Sequence, residues 1–322
     1  MKELESYTKL VSEELESLSF PSEPRGLYDP LTYFIQIGGK RIRPILTLLG
    51  AELFGGQQKN AIKPALAIEV FHNFTLIHDD IMDEAPLRRG KDTVHRKWNE
   101  NVAILSGDAL LIRSYQLLNQ IPTGRLCDAL ELFNRTALEV CEGQQYDLDF
   151  EDRKDVSVDE YIEMIRLKTS VLLGCALEMG AITAGASNEN RAHLYNFGQH
   201  IGIAFQIQDD VLDVYGDPEK FGKQAGGDIV ANKKTVLYLS ALQKANATQL
   251  EVLKQLSNEK DIQMKVERTT ELFNRLGVKE ICNDLKNKHL NLAFQSLDEI
   301  SGNEDCKLKL RQLASYLIQR DL

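Results

Sequence analysis

Apolar residues recur every three or four positions through almost the whole chain, and no run alternates apolar and polar side chains as a half-buried strand does. The helical pattern occupies 43–54, 61–83, 101–118, 126–148 and 158–185, continues over about 191–214, and breaks into four or five shorter helices between about 234 and 320. Pro44 is predicted to open a helix, and Pro86 and Pro218 to end two others. No Gly/Ser spacer, low-complexity stretch or short-period repeat divides the chain. These features predict an all-α protein, one large single-domain helical bundle over 1–322. Segments 101–112 and 171–184 are apolar on more than one face, which suits the middle of a bundle or an oligomer contact.

A chain of 322 residues with 43% hydrophobic and 27% charged side chains can bury a large core. Its net charge of −10 argues against nucleic acid as a partner. It leaves room for an anionic ligand, because a local basic cluster can sit on an acidic protein. The five cysteines are scattered, without the paired spacing of a zinc site or disulfide frame, and fit a reducing cytosol as small apolar fillers. The N-terminus lacks the apolar core of a signal peptide, and no stretch approaches the ~18 continuous apolar residues of a membrane span. The expectation is a cytoplasmic protein.

Charge is crowded in one place. "LIHDDIMDEAPLRRG" (76–90) places Asp79, Asp80, Asp83 and Glu84 at the end of an apolar helix. Asp79 and Asp83 are four apart and share a helix face, where like charges repel. At a helix C-terminus the macrodipole makes them worse still. Asp209, Asp210 and Asp213 repeat the array in "FQIQDDVLDVYGD", again closing an apolar helix before a Gly/Pro loop. One such array reads as a solvated helix end, but two matched arrays point to metal. Facing each other, they would cage a cluster of hard divalent ions. Magnesium takes one or two carboxylates and fills its shell with water and phosphate oxygens. Neither array has the loop of an EF-hand or the His and Cys that zinc prefers.

Basic residues supply the complement. "GGKRIRP" (38–44) carries Lys40, Arg41 and Arg43 at a helix start, and Arg88 and Arg89 follow the first acidic array. Lys168 and Thr169 interrupt an apolar helix, and Lys223, Lys233 and Lys234 lie in a glycine-bearing loop. Arginine forks suit phosphate. The pattern predicts two phosphorylated substrates, one held through metal and one held directly by cations. Phe74, Leu76, Leu172 and Phe205 would line a cavity suited to a hydrocarbon rather than a nucleotide, and no P-loop or dinucleotide fingerprint is present.

As an ordered set these motifs resemble the trans-isoprenyl diphosphate synthases, the polyprenyl synthetase family. The resemblance runs over nearly the whole chain: "GGKRIRP", "LIHDDIMDEAPLRRGKDTVH", "AILSGDALL", "GQQYDLDF", Lys168–Thr169, "FQIQDDVLDVYGD" and "GKQAGGDIVANKKT". It implies helices around a central cavity, usually a homodimer, and a magnesium-dependent head-to-tail condensation of an allylic diphosphate with isopentenyl diphosphate. By the same resemblance Asp79 and Asp83, with Asp80 in support, bind magnesium on the allylic diphosphate. Asp209 binds the remaining ion, with Asp210 and Asp213 close by. Arg88, Lys168, Lys223 and Lys233 contact the allylic diphosphate. Lys40, Arg43, His72 and Arg89 hold isopentenyl diphosphate. Thr169 and Gln206 line the reacting centre, and Asp147 orients Lys168.

In this family the residues four and five before the first aspartate form the floor of the product pocket, here Thr75 and Phe74. One Phe beside one Thr resembles the geranylgeranyl, twenty-carbon pattern; farnesyl and longer products are the alternatives. A class I terpene cyclase and a non-catalytic synthase subunit are more distant readings. The cyclase usually lacks the second array and the "GGKRIRP" site, and inactive subunits tend to lose the aspartates, whereas this chain keeps all six.

Overall fold

The computed structural model describes residues 4–216 and 226–318. Its elements are almost all helical, as the periodicity requires: α1 Glu5–Glu16, α2 Arg25–Gln36, α3 Ile42–Leu53, α4 Gln58–Met82, α5 Val94–Lys97, α6 Glu100–Leu118, α7 Thr123–Asp152 and α8 Val158–Ile165. A π-helical turn, Arg166–Ser170, leads into α9 Val171–Ala184 and then α10 Asn188–Tyr215. After the undescribed segment come α11 Gly227–Val230, α12 Val236–Lys244, α13 Ala247–Ser257, α14 Ile262–Leu276, α15 Val278–Asp298 and α16 Glu304–Ile318. The expectation of no strand is corrected at one point. Leu87–Arg88 (β1) and Lys91–Asp92 (β2) pair antiparallel, with Leu87 opposite Asp92. Two-residue strands are too short to leave a period in the sequence. Pro44 lies in the first turn of α3 and Pro86 follows α4, whereas Pro218 falls outside the described residues.

The chain divides into two compact units. The first comprises Met1–Asn134, Cys175–Leu194 and Ser301–Lys309. It is organised on α4, which packs chiefly against α3 and α6. The stretch Ala61–Phe71 of α4 is buried almost all round, so its sequence is nearly continuously apolar. The buried charge within it is Glu69, which pairs with the buried guanidinium of Arg41 at 2.7 Å. Removing either partner would strand a buried charge, at a cost of about 3–5 kcal/mol.

The second unit comprises Arg135–Gly174, Tyr195–Ile300 and Leu310–Leu322. Its core gathers Ile203, Ile207 and Val211 of α10 with Met164 and Ile165 of α8, Val236 and Leu237 of α12, and Phe273 of α14. Capping boxes at Ser157/Glu160 and Asn246/Gln249 start α8 and α13 by satisfying orphan helix N–H groups.

By length and composition Val158–Ala184 could cross a membrane, with a mean hydropathy of 1.3, but 78% of that window is buried inside the protein. Cys175, Cys282 and Cys306 are buried as apolar fillers should be; Cys127 and Cys141 are exposed instead.

In the second unit, His200 Nδ1 on α10 lies 3.1 Å from His289 Nδ1 on α15. Burial, with His200 and Lys288 adding repulsion, pushes His289 down to about 4, and burial also lowers His200. Both rings are therefore neutral at pH 7, one donating to the other. An unfolded histidine titrates near ~6.5, so the unfolded chain takes up the proton first as pH falls. This contribution to stability is full above about pH 6.5 and is lost as pH falls toward 4. Urea melts at about pH 7.5 and about pH 5 should show the wild type losing about 1 kcal/mol more than His289→Gln, after allowance for solvent screening. Equal losses would contradict the pairing.

Candidate active site

The first acidic array sorts itself by face. Asp80 is 1% exposed, and Arg88 grips it: Nε donates to both carboxylate oxygens at 2.9 and 2.8 Å, and Nη2 donates to Oδ1 at 2.7 Å. Asp79 is half-buried in the last turn of α4, and Asp83 is the exposed C-cap. The i,i+4 pair thus shares a helix end where the dipole favours cations, while the middle carboxylate turns inward to the protein.

The cations of the first unit gather nearby. Arg43 Nη1 lies 3.0 Å from His72 Nε2. Burial, then Arg43, Arg89, Arg88 and Arg41, hold His72 well below its ordinary value, so the ring is neutral. Arg43 donates to Nε2, which leaves the ring proton on Nδ1. Burial lowers Arg43 to about 10, and Arg43 Nε is buried with no partner among the described residues. Arg89 donates to the carbonyl of Gly38. Burial and the Arg41 and Arg88 charges lower Arg89 as well. Lys40 is exposed on the same loop. The double glycine is required here. Gly38 and Gly39 have φ of 86° and 150°, and a Cβ on Gly39 would sit 2.8 Å from Arg89 Nη1. An excess of cations with an orphaned buried donor suits a polyanion.

Below the array, Phe74 stands in an aromatic row with Phe71 (5.5 Å) and His78 (4.8 Å). Thr75 Oγ1 donates to His72 O at 2.9 Å. His78 in turn reaches Ile104 O on α6 at 3.1 Å.

The second array, in the second unit, is sorted likewise. Asp210 is 3% exposed and accepts from the Tyr161 hydroxyl at 2.5 Å, Gln206 Nε2 at 3.2 Å and the Val236 N–H at 3.3 Å. Burial raises it to about 7 despite those donors. Asp213 accepts the Asp228 N–H at 2.9 Å and so caps the short α11. Asp209 is half-buried.

Lys168 Nζ donates to Asp147 Oδ2 at 2.6 Å, the partnership that the family resemblance implied. Lys168 and Thr169 lie within the π-helical turn, where Ser170 Oγ donates to Ile165 O at 3.1 Å. A π-turn inside a helix often marks a functional site. Gly143 on α7 permits the approach, since a Cβ there would lie 2.2 Å from the Lys168 backbone nitrogen.

The two adjacent lysines part company. Lys234 Nζ donates to the carbonyls of Phe150 and Glu151 at the end of α7, whereas Lys233 is exposed. Lys223 lies outside the described residues.

Asp80, Asp210 and Asp213, which were expected to take metal, are held by protein donors. Sequence reasoning missed Tyr161, 49 positions from the carboxylate it serves, because no local spacing links them. It also grouped Arg41 with the ligand-facing cations, whereas Arg41 serves Glu69. Among the described residues no three His, Cys, Asp or Glu side chains converge as a self-sufficient metal site. The donors present are carboxylates alone, which suits a hard ion whose remaining ligands are water and phosphate oxygen.

A sequence profile of the polyprenyl synthetases matches residues 24–275. A geranylgeranyl pyrophosphate synthase of Geoglobus acetivorans is 38% identical, over 97% of this chain and 97% of that protein. A geranylfarnesyl diphosphate synthase of Natronomonas pharaonis is 35% identical, over 97% of this chain and 95% of its own. The crystal structure of a geranylgeranyl pyrophosphate synthase superposes with a TM-score of 0.94 at 47% identity, covering 99% of both chains.

Proposed function

Since the chain belongs to the polyprenyl synthetase family and is a trans-prenyltransferase, we propose that it condenses allylic diphosphates with isopentenyl diphosphate head-to-tail and makes geranylgeranyl diphosphate. The observation that carries the reading is the crowd of cations around neutral His72, with the orphaned Nε of Arg43 as an open donor. In this reading the reaction needs such a site for a diphosphate bound without metal.

Asp79, Asp83 and Asp209 would hold Mg²⁺, which as a Lewis acid neutralises charge on the departing allylic diphosphate. Lys168, held by Asp147, presents a fixed positive charge to the same group, and Arg88, Lys233 and Lys223 add to it. Lys40, Arg43, Arg89 and His72 hold isopentenyl diphosphate, His72 as a neutral ring that accepts from Arg43 and donates through Nδ1. Thr169 and Gln206 border the reacting carbons. Ionisation leaves an allylic cation, the alkene of isopentenyl diphosphate attacks it, and a proton is lost to the released diphosphate. Apolar walls exclude water, which would otherwise trap the cation. Asp80, Asp210 and Asp213 keep the two array-bearing helix ends in shape.

We take residues 1–322 as one synthase domain, supported by a profile match that runs through both compact units. The enzyme is taken to be cytoplasmic, a reading supported by the burial of Val158–Ala184. We further propose a homodimer. On α6, Ile104, Leu105 and Ile112 are 43%, 59% and 59% exposed, an apolar face that a second copy would cover. Sedimentation at twice the 36.4 kDa chain mass is expected, and a monomer would refute the pairing.

Incubated with Mg²⁺, isopentenyl diphosphate and farnesyl diphosphate, the wild type is expected to yield a twenty-carbon diphosphate by mass spectrometry. Phe74→Ala removes the bulkiest side chain of the proposed floor, so its products should be longer by one or more five-carbon units. An unchanged product would move the floor elsewhere, and no product from the wild type would refute the synthase reading.

A further inference from the structure

The turn that presents Arg89 is unusual in its backbone and is anchored far from its tip. Arg89 and Gly90 have φ of 53° and 75°, the left-handed pair that a two-residue type I′ hairpin demands. An L side chain adopts that conformation at a cost, and such residues persist where the surroundings fix them. Two contacts do so. At the tip, the Arg89 guanidinium donates to Gly38 O, at the start of the loop that follows α2. At the base, the Tyr33 hydroxyl on α2 donates to Asp92 O at 2.8 Å, directly across the hairpin from Leu87. Burial, with Asp92 adding to it, raises the Tyr33 phenol, so it remains a protonated donor.

Tyr33 is itself seated. Its ring meets Trp98 edge-on at 5.3 Å and 69°. Lys97 Nζ lies 3.6 Å from the Tyr33 centroid and 5.0 Å from that of Trp98. Helix α2 therefore grips the hairpin at one end through Tyr33, and its exit loop is gripped by Arg89 at the other. That loop carries Lys40 and leads to Arg43. Neither the acidic arrays nor the binding of a phosphate ligand calls for this aromatic seat.

We propose that Tyr33, seated by Lys97 and Trp98, is a positioning residue for isopentenyl diphosphate: it sets the spacing between Arg89 on the hairpin and Lys40 and Arg43 on the loop. The inference rests on the reading of that cation cluster as the isopentenyl diphosphate site. It separates the two substrates. Arg88 is on the same hairpin but is held independently by its forked pair with Asp80, and Lys168 is held by Asp147. Loosening Tyr33 therefore acts on one substrate only.

Tyr33→Phe deletes the hydroxyl and keeps the ring. Trp98 is the only tryptophan, so an unchanged emission maximum certifies that the aromatic seat survives. The expected result is a rise of about five-fold in KM for isopentenyl diphosphate, the effect of about one hydrogen bond. The KM for farnesyl diphosphate and kcat should stay within about two-fold. Calorimetric affinity for inorganic pyrophosphate in metal-free buffer should fall by a similar factor. An unchanged KM and pyrophosphate affinity, or equal losses for both substrates together with a lowered Tm, would overturn the proposal. Pyrophosphate binding needs no condensation. An inert wild type would thus remove the functional reading while the calorimetry still decided the role of Tyr33.

Discussion

Carboxylates packed at a helix C-terminus repel one another and oppose the helix dipole, and both array-bearing helices are built around that repulsion. The protein relieves part of it internally. Asp80 is neutralised by a forked arginine, Asp210 sits among a phenol, an amide and a backbone N–H, and Asp213 caps a short helix. Asp79 and Asp209 are half-buried and Asp83 is exposed. The carboxylates that hold protein fix the helix ends from which the others project.

The basic residues are divided in the same way. Arg41 is buried on Glu69 and Lys234 is spent on the carbonyls that end α7, so neither is offered to a ligand. Arg43 and Arg89 hold their protons less tightly chiefly because they are buried, with neighbouring guanidinium charges adding to the effect. The cluster around His72 is rich in positive charge. Its neutral histidine adds a donor without adding charge.

Much of this was legible in the sequence. Helical period gave the long elements to within a few residues, because their apolar stripes extend over many turns. The arrays, the "GGKRIRP" loop and Lys168 stood out because charge inside apolar pattern is expensive and needs a reason, whereas the pairing of Lys168 with Asp147 came from the family resemblance. What stayed hidden was of two kinds. The β1–β2 hairpin is too short to show a period. The sorting of each array into inward and outward carboxylates depends on partners far away in sequence, such as Tyr161 and Val236 for Asp210. Adjacent aspartates look alike until the fold decides which one meets a donor. The same holds for Lys233 and Lys234, and for Arg41 and Arg43.

The division of the aspartates is tested most directly by counting bound Mn²⁺ by electron paramagnetic resonance, with pyrophosphate present, in single Asp→Asn variants. The account expects Asp79→Asn, Asp83→Asn and Asp209→Asn to lose or weaken an ion with little change in Tm. Asp210→Asn should keep the wild-type stoichiometry and melt earlier, because its amide nitrogen would face a donor, from Gln206 or from Tyr161 and Val236, where a carboxyl oxygen now accepts. Loss of an ion on substituting Asp210, or full binding without Asp79, Asp83 and Asp209, would contradict it.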